Sequence, residues 1–178
     1  MGCSFGQVFE AEVEPLHGYI ARRLGSSAAD DLTAETFAIA YRRWEDLDPS
    51  RPVRPWLFGI ASNLIRHHWR KERRMLRAYA RSGVDPVLTE DDAPLERLEA
   101  QAARPAVAAA LADLRHEERE VLFLHTWAEL SDTEIADALS LPLGTVKSRL
   151  SRAREHMRNR LGAIGQVEVD RLKKTVVE

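Results

Sequence analysis

Two blocks of positive charge set the chemistry this sequence can do. Between Leu143 and Leu161 (LGTVKSRLSRAREHMRNRL) six lysines and arginines face one glutamate, and between Arg66 and Arg81 (RHHWRKERRMLRAYAR) seven face one glutamate. Side chains of this kind hold phosphates, and an arginine can also grip a guanine edge through two hydrogen bonds. Bond-breaking chemistry needs other groups. The densest carboxylates, Glu90-Asp91-Asp92, have no histidine or glycine-rich loop beside them, so neither a metal cluster nor a nucleophile with its base is laid out. The six histidines (17, 67, 68, 116, 125 and 156) show no metal-ligand spacing. Cys3 is the only cysteine, which excludes an intramolecular disulfide and a multi-cysteine zinc site. Charge alone leaves two readings open, a protein that binds a polyanion and a set of solvated helix faces; no catalysis, no metal and no cofactor are expected.

Whole-chain averages conceal this, because the 178 residues sum to a net charge of −2. The compensating charge is concentrated in Gly83–Arg104, where six acids stand against two arginines. Two cationic units separated by an anionic strap suggest two surfaces for one polyanion, joined by a segment that avoids it. No apolar run approaches the ~18 residues of a membrane helix, and the N-terminus has no signal-peptide pattern. A reducing cytoplasm is the expected location.

The elements that must position these charges are helices. Strand-like alternation is absent, and Ala, Leu, Arg and Glu dominate. A first helix is expected from Phe5 to about Leu24, interrupted near Pro15 or starting there. The run GSSAADD supplies a turn with candidate N-caps at Ser27 and Asp30, and an amphipathic helix follows over Asp31–Trp44. DLDPSRPVRP contains three prolines and reads as a loop, its last proline, Pro55, suiting the first turn of the next helix. On that helix Trp56, Ile60 and Leu64 line one side, with His67 a candidate fourth member and Leu57, Ala61 and Ile65 beside them. Periodicity then lapses: residues 82–94 read as linker, and Leu95–Ala103 carries the pattern of a short helix. The expected fold is all-α, with two small helical domains, 5–81 and 105–161, joined by a flexible acidic linker (82–104). Residues 162–178 form a weakly patterned tail, either disordered or a short helix against a partner.

The C-terminal unit reads as a helix-turn-helix over LSDTEIADALSLPLGTVKSRLSRAR. Ser131 or Asp132 can cap a short helix ending at Leu139, with Ile135 and Leu139 inward and the small Ala136 where two helices cross. SLPLG makes the turn; Ser140 occupies a position where many such turns carry glycine, since a positive φ costs a side-chain-bearing residue roughly 1 kcal/mol. On the second helix Val146, Leu150, Ala153, Met157 and Leu161 form one apolar stripe. That stripe rotates Lys147, Ser148, Arg149, Arg152 and Arg154 away from the packing face, the arrangement a major groove admits.

These residues bring a resemblance into view. LSDTEIADALSLPLGTVKSRLSRAR resembles the promoter-binding domain of bacterial extracytoplasmic-function (ECF) sigma factors, of the sigma-70 family. DDLTAETFAIAYRRW followed by RPWLFGIASNLIRHHWRK resembles their N-terminal domain. Together the matches cover about residues 8–77 and 105–161 in the family's order. The resemblance implies a subunit that directs RNA polymerase core to promoters and initiates transcription. Asp31, Leu32, Glu35, Thr36, Phe37 and Tyr41 match the positions that dock on the clamp of the largest polymerase subunit, and the C-terminal unit is expected near the flap. Arg51, Arg54, Asn63, Arg66, His67 and Arg70 match the region that reads and opens the downstream (−10) element, where a flipped base is held beside the DPSRPVRP loop. Thr145, Lys147, Ser148, Arg149 and Arg152 match the helix that reads the upstream (−35) element. Trp56 fits the core better than a stacking role, whereas Trp69 fits either, and Trp127 is expected to pack against the recognition pair. Arg115-His116 replaces the Leu-Pro-Pro-like start of a helix in many relatives. Control by an anti-sigma factor, and association with the nucleoid when polymerase is bound, are further implications.

Two other classes compete with this reading. A stand-alone helix-turn-helix regulator would dimerise on a palindromic operator, yet the chain has no phosphoacceptor pattern or ligand-binding α/β unit. A nucleic-acid-processing enzyme would need the catalytic constellation missing above.

Overall fold

The computed structural model describes residues 4–48, 50–82 and 105–174, with side chains over 4–48, 50–70, 107 and 109–162. Seven helices, and no strand, occur among the described residues. The expected linker (83–104) and the Leu95–Ala103 helix lie outside them.

Helix α1 (Phe5–Leu24) opens on a reciprocal cap: Ser4 Oγ accepts from the Gln7 N–H, and Gln7 Oε1 accepts from the Ser4 N–H. It runs unbroken through Pro15, contrary to the expected interruption. The missing hydrogen bond there is outweighed by burial of Val8, Leu16, Tyr19, Ile20 and Leu24 along one face. Helix α2 (Ser26–Arg42) is capped by neither Ser27 nor Asp30. Gly25, at φ 82°, ends α1 and starts α2 in one residue, a corner only glycine turns at low cost. Asp30 instead accepts from His17 across the α1–α2 contact at 2.9 Å. Asp48 accepts from the N–H and hydroxyl of Ser50, which fixes the loop before α3 (Val53–Ser82) and holds the carboxyl below the usual aspartate range. Pro55 falls in the first turn of α3, as its sequence suggests.

In the C-terminal unit α4 (Pro105–Asp113), α5 (His116–Thr126) and α6 (Asp132–Leu139) surround the first half of α7 (Leu143–Lys174). The start of α5, where the sequence lacks the family's prolines, relies on Arg115 in extended conformation and on Glu117 and Glu118 at the positive helix end. Ser131 and Glu134 form the second reciprocal cap, at α6. Ser140 takes the left-handed conformation anticipated for it, φ 53°, and the Leu141 N–H bonds back to the Ala136 carbonyl at 2.9 Å to close the helix. The five stripe residues of α7 are all buried, Val146 and Ala153 completely. At Gly162 (φ 57°, ψ −146°) the helix kinks, and helical backbone resumes to Lys174, so the tail is helical there.

The Ser131 hydroxyl and amide hold the Glu134 carboxyl below the usual glutamate range. Ser131→Ala is expected to destabilise the protein by about 1 kcal/mol in urea unfolding. The wild-type advantage should be full above the ordinary glutamate pKa and shrink as pH falls through the lowered value, because protonated Glu134 accepts less well.

Candidate nucleic-acid interface

The buried stripe of α7 decides what its other faces show. Lys147, Arg152 and Arg154 are exposed, and Thr145, Ser148 and Arg149 half-buried. Ser148 Oγ donates to the Thr145 carbonyl at 3.0 Å, and Arg154 lies against His125 Nε2 at 2.7 Å. Arg115, noted in the sequence only as a departure, lines one shallow groove with Arg152 and His156, where Glu118 and Glu155 offset the two guanidinium charges. Its signal was a basic residue at a helix start facing a basic helix across the core. The surface can hold phosphates through Lys147 and Ser148 and present Arg149 and Arg152 to base edges.

On α3 the apolar residues Leu57, Phe58, Ala61 and Ile65 are buried, leaving Asn63, His67 and Arg70 exposed and Arg66 half-buried. Arg66 donates to Asn63 one turn earlier. Side chains of the basic block from Lys71 onward lie outside the described residues. Beside this face is a cavity of about 440 Å³ lined by Arg51, Pro52, Trp56 and Asn63. Trp56 is half-buried at its wall and tilted against Trp44 at 6.4 Å, so it is partly a cavity residue rather than wholly core. Arg51 is exposed. Arg54 is not open: its guanidinium pairs with Glu12 at 2.5 Å and donates to the Ala128 carbonyl at 3.2 Å. Of the four arginines matched to downstream DNA, Arg54 is therefore engaged inside the protein.

The six α2 residues divide. Asp31, Glu35 and Tyr41 are exposed, Tyr41 by 68%, whereas Leu32, Thr36 and Phe37 are buried, with Thr36 Oγ1 donating to the Leu32 carbonyl. Phe37 supports an aromatic cluster with Phe5 and Phe9, and Phe5 meets Tyr41 edge-on at 5.1 Å. An acidic, aromatic edge backed by apolar packing suits a basic helical partner.

The sequence did not disclose how the two units meet. Arg23 of α1 is buried, donates to Tyr19 Oη at 2.6 Å and lies over the Phe123 ring of α5 at 5.6 Å. Tyr19 Oη also pairs with Ser62 of α3, and burial raises its pKa despite the nearby guanidinium. Burial lowers the pKa of His116, with Glu120 opposing and Arg23 adding to the shift. Trp127, the residue that caps the C-terminus of α5, is buried and stacks on Phe123 of that helix, 4.0 Å between centroids.

Two cationic helical faces on separate units, one of them a helix-turn-helix, define a nucleic-acid-binding protein. Sigma-70 region 2 matches residues 8–75 and Sigma-70 region 4 matches residues 104–157. The ECF RNA polymerase sigma factor SigL of Mycobacterium tuberculosis is 33% identical over 164 residues, 89% of each chain. SigW of Bacillus subtilis is 29% identical over 171 residues, again 89% of each. Among solved structures, CnrH in complex with the cytosolic domain of CnrY aligns with a TM-score of 0.64 at 29% identity, covering 89% of this chain and 88% of that one. The sigma factor RpoE bound to the anti-sigma factor NepR from Bartonella quintana aligns at 0.68 and 23% identity over 89% and 97%, a likeness of fold.

The chain belongs to the ECF sigma factors of the sigma-70 family. It directs bacterial RNA polymerase to specific promoters and initiates transcription there. No helix among the described residues is long and apolar enough to cross a membrane.

Binding of the free protein to duplex DNA is expected to weaken linearly on a log–log scale with salt. Lys147→Ala should lower the slope by about 1, the loss of one phosphate contact. Fluorescence anisotropy across a salt series measures it.

Proposed function

We propose the following division of labour along the chain. Residues 5–81 form the unit that holds polymerase and opens the downstream element, 82–104 the connection, and 105–161 the unit that reads the upstream element. Asp31, Glu35 and Tyr41 meet the polymerase clamp, while buried Leu32, Thr36 and Phe37 hold that edge in shape. Arg51, Asn63, Arg66, His67 and Arg70 engage the downstream strand, with the cavity beside Trp56 accepting an unstacked base. Lys147 and Ser148 fix the upstream helix on phosphates, and Arg149 and Arg152 read bases. Thr145 stands at the N-terminal turn of α7, where a helix favours phosphate. The observation that carries this reading is the burial of the apolar stripes of α3 and α7, which leaves both cationic faces outward.

The protein acts by binding alone: contacts to DNA and polymerase supply the free energy for locating and opening a promoter. Each unit binds weakly by itself, and tethering raises the effective concentration of the second contact. By analogy with CnrH and RpoE, whose solved forms carry CnrY and NepR, an anti-sigma factor restrains this chain. It associates with the nucleoid when polymerase carries it there.

Run-off transcription with core polymerase tests the assignment. Asp31→Arg with Glu35→Arg is expected to abolish polymerase pull-down and initiation while circular dichroism stays that of the wild type. Arg152→Ala should keep pull-down and lower upstream-element binding about 5- to 100-fold, the equivalent of 1–3 kcal/mol. Unchanged pull-down by the charge reversal would remove the clamp assignment, and loss of pull-down in Arg152→Ala would remove the upstream one.

A further inference from the structure

We infer that Leu143, the first residue of α7, reads a thymine of the upstream element through the C5 methyl group of the base, and that Gly144 beside it lets the helix end come that close. This rests on the reading of 105–161 as the unit that engages the upstream element.

Leu143 continues the apolar period of α7 one turn beyond the core. It precedes Val146 by three residues and Leu150 by seven, the spacing of the buried stripe. Yet it is 37% exposed, where Val146 is 0% and Leu150 2%. Among the described residues it is the one large hydrophobic side chain of the C-terminal unit left exposed. Its backbone is held in place. The Pro142 carbonyl accepts from the N–H groups of Thr145 at 2.8 Å and Val146 at 3.2 Å, and the Leu141 N–H bonds to the Ala136 carbonyl at 2.9 Å. An apolar tip on a fixed turn loses little freedom when a partner covers it. Gly144 is exposed as well, and a Cβ added there would meet nothing within 4 Å. Glycine disfavours a helix relative to alanine, and no positive φ calls for it at this position. Nothing inside the chain accounts for the missing side chain, so the room it leaves opens toward a partner of the helix end.

The chemistry of that partner follows from what the rest of the helix lacks. Arginine grips guanine by hydrogen bonds, and lysine and serine hold phosphates. Thymine carries a mark that none of these groups reads: in the major groove it presents a methyl group beside its O4 acceptor, and no other base has one. A branched aliphatic side chain at the tip of a helix in that groove covers the methyl and removes it from water, which is worth about fourfold in affinity for one buried carbon. The same side chain gains nothing from a phosphate, and against cytosine it leaves an amino donor without a partner. Lys147 stands one turn further on and is exposed, so one helix end offers a cation to the groove wall and an apolar group to its floor. Thr145 also carries a methyl group, but it is half-buried. Leu143 precedes Arg152 by nine residues, about 14 Å along the helix at 1.5 Å per residue. That is roughly four base-pair steps of 3.4 Å, so the thymine lies within about four base pairs of the base that Arg152 grips.

The test uses holoenzyme formed from the full chain and core polymerase, on a promoter taken from the 5′ ends of its own transcripts. Each thymine of the upstream element is replaced in turn by deoxyuridine, which lacks only the methyl group. Wild type should bind one of these promoters about fourfold more weakly and the others unchanged. Leu143→Ala should bind the thymine and deoxyuridine forms of that promoter alike, and should still be recovered with core polymerase in pull-down. Thr145→Ser, which loses a methyl group and keeps its hydroxyl, should retain the sensitivity to deoxyuridine. Gly144→Ala should match wild type by circular dichroism and bind the promoter about 5- to 100-fold more weakly, because its Cβ fills the room of the close approach. Thymine reading by Leu143 is overturned if no deoxyuridine weakens wild type, or if the sensitivity survives in Leu143→Ala or vanishes in Thr145→Ser. Loss of polymerase pull-down in Leu143→Ala overturns it too, since the side chain would then face protein, as does wild-type promoter affinity in Gly144→Ala. Arg152→Ala on the unmodified promoter separates the layers. Where it weakens binding as stated above, any of those results removes the role of Leu143 alone; where it does not, or where wild type initiates at no promoter, the upstream reading falls with it.

Discussion

Burial of one apolar stripe on α7 governs the rest of this molecule's behaviour. Val146, Leu150, Ala153, Met157 and Leu161 repeat at helical spacing and are taken up by α4, α5 and α6. Each fully buried aliphatic side chain is worth roughly 1.5–3 kcal/mol, so rotating the helix by a quarter turn would forfeit most of the unit's core. The rotation is thereby fixed, and with it the direction in which Lys147, Arg149 and Arg152 point. On the proposed reading, recognition specificity is inherited from core packing. The same logic runs through α3, where Leu57, Phe58, Ala61 and Ile65 hold the opposite face inward and leave Asn63, His67 and Arg70 to the outside.

The contact between the units obeys different physics from either core. Its most distinctive members are a buried guanidinium on a tyrosine hydroxyl and an aromatic face, an arginine shared between a carboxylate and a carbonyl, and a glycine against backbone. Polar contacts of this kind have good partners in water, so the net gain from each is small. Interfaces between domains of one chain come apart on that account. The proposed connection over residues 82–104 fits the same scheme, since a net negative charge disfavours contact with DNA.

Much of the local architecture was legible in the sequence because its causes are local. The α7 stripe follows from a 3.6-residue period, the α6 cap from Ser131 and Glu134 three apart, and the strain at Ser140 from the demands of the turn. Where the reading failed, a nonlocal term had outweighed a local one. Pro15 stays inside α1 because the helix is held by residues on its buried face, and the α1–α2 corner belongs to Gly25 because Tyr19, Ile20 and Leu24 on one side and Ala29 and Leu32 on the other must pack together. At the candidate interface the basic residue types and their helical spacing were readable, but which of them were free was not. Arg54 looks like its neighbour Arg51 in sequence, and only the approach of Glu12 and Ala128 distinguishes them. Gly59 gave no sign of its partner Ala138, 79 positions away, because a glycine in a helix records only that something comes close.

The central claim is that two cationic helical faces, carried on polymerase, engage separate stretches of one duplex and open the downstream one. Permanganate footprinting of promoter DNA with this protein, core polymerase, or both tests it most directly. Reactive, unpaired thymines are predicted around the downstream element only when protein and polymerase are present together. A single protected palindrome formed by the protein alone, with no unpaired thymines on adding polymerase, would contradict it.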